Sequence, residues 1–117
     1  MLAAKLNLTI KQGATFRKRL VWRGSNKKPI NLTGYTAKMQ ARSAYGDPQV
    51  LFELSTANGG ITLGGTAGTV ELYIPDEATA LFNFERVVYD LFLYAPNGDA
   101  LPLFEGSVRL VLGVTKV

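Results

Sequence analysis

Four carboxylates fall close together in the second half of the chain, Asp76, Glu77, Glu85 and Asp90, and a pair of acids at the right separation can hydrolyse a glycoside or hold a hard cation. Their setting argues against both. Asp76 and Glu77 follow Pro75 at the start of the one stretch with helical character, where acids serve as first-turn or N-cap residues, and Asp90 takes an outward position on a strand. The Gly-rich segment 59–68 has the backbone freedom to cradle an oxyanion, but it lacks a Gly-Lys-Ser/Thr ending and no helix follows it, so it reads as hairpin turns. Zero Cys and zero His remove thiolate nucleophiles, imidazole bases, disulfides and the usual zinc or haem ligands. The sequence reading is therefore of a non-enzyme with no catalytic, cofactor-binding or metal-binding residues.

The basic residues are the sharper signal. Residues 1–46 hold ten Lys or Arg and no acid, whereas residues 47–117 hold all nine acids and three bases. Arg17, Lys18, Arg19, Arg23, Lys27, Lys28, Lys38 and Arg42 come from strands and one loop, and neighbouring strands would gather Arg17, Arg19, Lys38 and Arg42 on a common face. Such a face could neutralise phosphates, or meet Glu53, Glu71, Asp90 and Glu105 of a second copy or of another protein. Cross-strand pairing within the chain is the plainer alternative. No helix-turn-helix, RNA-recognition or zinc pattern is present and outward aromatics are few, so nucleic acid ranks second to protein as a partner.

The elements that position these residues are strands. Period-two alternation recurs between clusters of Gly, Asn, Asp and Pro: Leu6, Leu8 and Ile10; then Phe16, Leu20 and Trp22 with Lys18 interrupting; then Tyr35, Ala37, Met39 and Ala41. The pattern resumes with Val50, Phe52 and Leu54, a very short Ile61-Thr62-Leu63, then Val70, Leu72 and Ile74. It ends with Tyr89, Leu91 and Leu93 and a final run from Leu101 that includes Val108, Leu110, Leu112 and Val114. Pro29 limits pairing in the polar loop 23–34, whose tip carries Lys27 and Lys28 as loop contacts, and Pro75 stops a strand before a helical turn near 76–82. At 117 residues and 47% hydrophobic, this is one all-β domain over 1–117, whose seven or eight antiparallel strands with Gly-rich turns make a sandwich or a small barrel. Tyr73, Val88, Phe92 and Tyr94 lie opposite the inward residues of their own strands, so these strands are apolar on both faces, and Tyr73, Phe92 and Tyr94 are the expected apolar anchors of an oligomeric or docked state. The first ten residues alternate with Lys5, Asn7 and Thr9, which suits neither a signal h-region nor a membrane span, so a protein made in the cytoplasm with no membrane partner is expected.

Four phrases together carry a family resemblance: LNLTIKQGATF (6–16), PINLTGYTAKMQAR (29–42), NGGITLGGTAGTVELYIP (58–75) and VVYDLFLYAPNGDALPLFEGSVRLVLGVT (87–115). In order and spacing the chain resembles small β-structured virion proteins of tailed bacteriophages and prophages, related in pattern to the N-terminal domain of baseplate upper proteins. The resemblance implies an immunoglobulin-like sandwich without enzyme activity that acts as a structural or accessory module of the tail, baseplate, neck or fibre attachment. It would assemble in several copies, with other virion proteins as partners and the virion as its location. A small basic nucleic-acid-binding domain and a capsid decoration protein are the alternatives.

Overall fold

The alternating segments become strands because their β-branched and aromatic residues suit a pleated sheet, and the Gly, Asn and Pro clusters between them supply turns. The computed structural model describes residues 3–115; Met1, Leu2, Lys116 and Val117 of the expected 1–117 domain lie outside the described residues. The strands are β1 (Ala4–Lys5), β2 (Leu8–Lys11), β3 (Phe16–Val21), β4 (Thr36–Arg42), β5 (Phe52–Ser55), β6 (Ile61–Leu63), β7 (Thr69–Ile74), β8 (Arg86–Tyr94) and β9 (Ala100–Val111). β1 and β2 both pair with β9 and are one strand interrupted at Leu6 and Asn7, which gives eight among the described residues. A single helical turn, α1 (Asp76–Thr79), follows Pro75 as its N-cap, so Asp76 is a first-turn acid rather than the cap.

Two sheets result. One runs β1/β2-β9-β8-β4-β5 and the other β3-β7-β6. With β3 to β9 taken as strands B, C, C′, D, E, F and G, the first sheet is G-F-C-C′ and the second B-E-D, the immunoglobulin arrangement with an added C′ strand. The chain is an all-β, immunoglobulin-like sandwich. One feature departs from a wholly antiparallel reading, because the first strand runs parallel to the last, with Leu8 opposite Val108 and Ile10 opposite Leu110. Since the first strand is used there, it does not cover β3, whose outer edge has no strand partner among the described residues.

The core lies between the sheets. Leu8, Ile10, Ala37, Met39, Ala41, Val87, Tyr89, Leu91, Leu93, Val108 and Leu110 from the larger sheet meet Ile61, Val70, Leu72 and Ile74 from the smaller, with Leu32 from the connecting loop. Truncating a buried Leu such as Leu91 to Ala costs about 2–5 kcal/mol, since the loss of transfer energy adds to the cavity left behind. Polar groups inside are matched. The Thr79 hydroxyl is buried, donates to Ala14 O (2.8 Å) and accepts from Gly13 N–H (3.1 Å), fixing α1 against the first turn. The Tyr89 hydroxyl donates to Leu6 O at 2.6 Å across the interruption between β1 and β2.

The Gly-rich segment 59–68 spans the end of the turn before β6, β6 itself and the β6–β7 connection, a short 3-10 turn over Gly65–Ala67 closed by Gly68 in the left-handed region at φ 67°. A Cβ on Gly68 would come within 2.9 Å of both Trp22 O and Ile30 O, so only glycine fits there. The β8–β9 register shifts between Leu91 and Phe92 of β8, and Leu103 of β9 is the extra, buried residue of the bulge. The final strand ends at Val111: Leu112 and Val114, expected to continue the core pattern, are 68% and 94% exposed. The sheet partners run out at Lys11, so nothing remains for the alternation to pack against.

Candidate interaction surfaces

The expected common basic face is not formed. β3 belongs to the three-stranded sheet and β4 to the larger one, so Arg17 and Arg19 point outward on one side of the sandwich while Lys38 and Arg42 point outward on the opposite side. The physical reason is the connection from Trp22 to Tyr35, which carries the chain from one sheet to the other between two strands adjacent in sequence. The anchors divide the same way, Tyr73 with the small sheet and Phe92 and Tyr94 with the large one.

On the small sheet Arg19 and Arg17 are already engaged. Arg19 lies opposite Glu71 in the β3–β7 register and bonds it through Nε at 2.7 Å and Nη2 at 2.6 Å. Arg17 lies opposite Tyr73 and its guanidinium sits 4.5 Å from the ring centre, a cation–π contact. A shallow depression of about 300 Å³ runs beside Arg17, Lys18, Arg19, Thr62, Glu71 and Tyr73. Lys27 and Lys28 sit exposed in a closed turn rather than an open loop. Lys27 N–H donates to Gly24 O and Gly24 N–H to Lys28 O, both at 2.9 Å, and the Arg23 guanidinium donates to Lys27 O at 3.1 Å. Lys27 itself has φ 65°.

The large sheet presents a different surface. Pairing across β4, β8 and β9 lines up outward residues in rows: Thr36, Tyr94 and Ala100; Lys38, Phe92 and Pro102; Gln40, Asp90 and Glu105; Arg42, Val88 and Ser107. Phe92 and Tyr94 stack at 6.4 Å between ring centres, and Tyr94 is 36% exposed. Their outward placement is the one the sequence indicated. Beside the rings lies a depression of about 260 Å³ lined by Lys38, Gln40, Asp90, Phe92, Tyr94 and Ala100. A second, of about 250 Å³, lies along Arg42, Tyr45, Val88 and Asp90.

Charges on this face are unevenly satisfied. Glu105 is bridged by Lys5 at 2.8 Å, and the hydrogen bond and charge of that carboxylate raise the Lys5 pKa. Glu53 accepts from Gln40 Nε2 at 2.7 Å, and Arg42 donates to Asp47 O and Gln40 Oε1, each at 2.9 Å. The Asp90 carboxylate takes no hydrogen bond among the described residues, and its pKa is raised by desolvation first and by Glu105 second, against the opposing pull of Arg42. Asp47 shows the reverse: the Ser43 hydroxyl and Gln49 N–H hold its pKa below the usual value. The two halves of opposite charge thus meet within one chain at Lys5–Glu105 and Arg19–Glu71, while Lys38 and Asp90 form no ion pair among the described residues.

One cluster escaped the reading of the sequence. Phe52, Phe82 and Phe84 pack ring against ring at 5.0, 6.0 and 5.2 Å, beside an exposed Leu81 and an apolar depression of about 370 Å³ that reaches Tyr73 and Asn58. The Phe82-Asn83-Phe84 spacing was its only local sign, and the third ring comes from a strand thirty residues earlier. No group of three or more acids that could hold a metal ion occurs among the described residues.

No protein-family model and no curated protein matches the chain. Among solved structures it is similar to a chain from a photo-crosslinking study of multimeric cell-adhesive interactions of VGSC beta subunits, with 12% identity, 92% of each chain covered and a TM-score of 0.46. It is also similar to extracellular domains 3–5 of Drosophila OTK, with 13% identity, 90% of this chain and 33% of that one covered and a TM-score of 0.40.

Proposed function

We propose that this domain is a non-enzymatic structural module of a tailed phage particle, which docks through the outer face of its β9-β8-β4-β5 sheet and assembles in several copies. The observation that carries the docking surface is the Phe92–Tyr94 stack on β8, a central strand whose outer face would be polar and wet in a domain that worked alone. Around the rings, Lys38 and Arg42 form a basic strip on β4, and Asp90 with Glu105 an acidic row on β8 and β9. A face with both signs is self-complementary, so a second copy turned about a two-fold axis can set one strip on the other. Support for the particle itself comes from the four sequence phrases that resemble virion proteins.

Light scattering over a range of concentrations, together with co-sedimentation with particles, tests this reading. Association that weakens in Phe92→Ala and Lys38→Glu while the fold is kept supports it; a strict monomer that joins no virion component defeats it. No observation favours nucleic acid as the partner: with the cations divided between opposite faces, Arg19 paired with Glu71 and Arg17 held over Tyr73, the continuous strip that would follow a phosphate backbone is lost.

A further inference from the structure

β3 is the longest strand at a sheet edge, six residues against four each in β2 and β5 and three in β6. Its pairing parity is set by Trp22 N–H donating to Gly68 O at 2.8 Å, one step beyond the strand. Phe16, Lys18 and Leu20 share that parity, so their backbone groups face β7, and the N–H and C=O groups of Arg17, Arg19 and Val21 face away from it. The β6 side agrees, since Tyr73 N–H turns to Gly60 O and leaves Leu72 and Ile74 for β3. None of the six outward groups of Arg17, Arg19 and Val21 takes a hydrogen bond among the described residues, and all three residues are exposed.

We propose that this edge is a strand-addition site for an extended acidic segment of a partner protein. The charge pattern selects that occupant. Three consecutive cations line the edge, and Glu71 answers only Arg19. Lys18 is out of step with its neighbours: it lies opposite buried Leu72, at a position of core-facing parity, yet it is exposed because no further strand covers it. An inward-pointing lysine on an edge strand opposes pairing with a like edge. Two copies of β3 joined antiparallel about Lys18 would oppose Lys18 to Lys18 and Arg17 to Arg19, so a second copy is excluded by repulsion. A carboxylate reverses that sign. In an added antiparallel strand, the residue opposite Lys18 is at a non-hydrogen-bonded site, where Cα atoms approach to about 4.5 Å and side chains meet closely. Main-chain bonds would supply affinity and the acid opposite Lys18 would supply register.

This surface lies on the sheet opposite the Phe92–Tyr94 face, so its test is independent of the docking reading. The probes are the capped heptapeptide Thr-Val-Thr-Glu-Glu-Val-Thr and its counterpart with two lysines in place of the glutamates. The glutamate peptide is expected to bind, to bind less as salt rises, and to slow amide exchange at Arg17, Arg19 and Val21. Lys18→Glu should weaken it by about tenfold or more and favour the lysine peptide, Lys18→Gln should fall between, and Arg109→Glu, an exposed cation of the far sheet outside the Lys38, Phe92 and Asp90 rows, should bind as the parent does. Circular dichroism checks that each variant keeps its fold. Equal binding of both peptides, binding of neither, or protection that appears elsewhere than on β3 overturns the proposal, and would leave Lys18 as a guard against all pairing.

Discussion

Ser55 and Asn58 hold each other by two reciprocal bonds: Ser55 N–H donates to Asn58 Oδ1 at 2.9 Å, and Asn58 N–H donates to Ser55 Oγ at 3.1 Å. The same Asn58 amide donates from Nδ2 to Glu53 O at 3.0 Å. One side chain therefore takes a carbonyl and an N–H from the outer edge of β5, as the backbone of another strand would. Two of the edge strands are treated differently: β5 is closed by its own turn, and β3 is left open with three cations along it.

Replacing Asn58 by Ala should accordingly cost about 1–3 kcal/mol, because it strips partners from Glu53 O and Ser55 N–H together. Thermal unfolding followed by circular dichroism is the check. The variant should also aggregate faster at high concentration, since β5 then presents free groups. Unchanged stability would mean that solvent serves those groups equally well.

Tyr89 supplies a prediction at alkaline pH. Burial pushes its pKa up to about 12 from 10.0, while its hydroxyl donates to Leu6 O. The unfolded chain ionises near 10.0 and the folded chain does not until about 12, so the unfolded state binds fewer protons in between. Stability should fall as pH rises through that window, and Tyr89→Phe should remove this contribution to the slope. At neutral pH the same substitution should cost about 1–2 kcal/mol by leaving Leu6 O without its donor. A Phe variant with the parent's alkaline slope would assign the loss to other groups.

Much of this was legible from alternation alone. The inward sets of β4, β7 and β8 follow from period two, because a strand facing a core must place every second residue there, and the outward positions of Tyr73, Phe92 and Tyr94 follow from the same rule. Alternation assigns a residue to a face of its own strand and says nothing about which sheet the strand joins. That is why Arg19 and Lys38 were expected side by side and stand on opposite sides of the sandwich. Lys18 was visible as an interruption, but only the open edge of β3 explains how a lysine tolerates a core-facing position. Leu112 and Val114 kept the rhythm of a strand after its partner had ended, a limit set by Lys11 a hundred residues earlier.

Asp90 and Asp47 should respond to pH in opposite senses. The raised pKa of Asp90 means that the folded chain binds a proton more readily than the unfolded one, so stability falls as pH rises from 3.8 through the folded value. For Asp47, whose pKa is lowered, the contribution is present above 3.8 and is lost as pH falls through its folded value. Urea titrations at a series of pH values should show Asp90→Asn removing the first slope and Asp47→Asn the second. If the Asp90 variant keeps the parent profile, its carboxylate is better solvated than its surroundings imply.

The docking face gives the sharpest contrast between the two sheets. Phe92 and Tyr94 stack over the centre of the larger sheet, whereas Tyr73 is occupied by Arg17 on the smaller one. If assembly uses the larger face, Phe92→Ala should raise the dissociation constant of self-association or particle binding by roughly thirtyfold, the scale of an aromatic anchor worth about 2 kcal/mol. Lys38→Glu should mainly slow association and lessen its dependence on salt, because an exposed charge steers encounter more than it holds the complex. Tyr73→Ala should leave both measurements near the parent values. Sedimentation and surface binding on the three variants separate the faces: a loss confined to Tyr73→Ala would move the interface to the small sheet. Equal losses in Phe92→Ala and Tyr73→Ala would point instead to both faces being covered, which a domain docked between two neighbours requires.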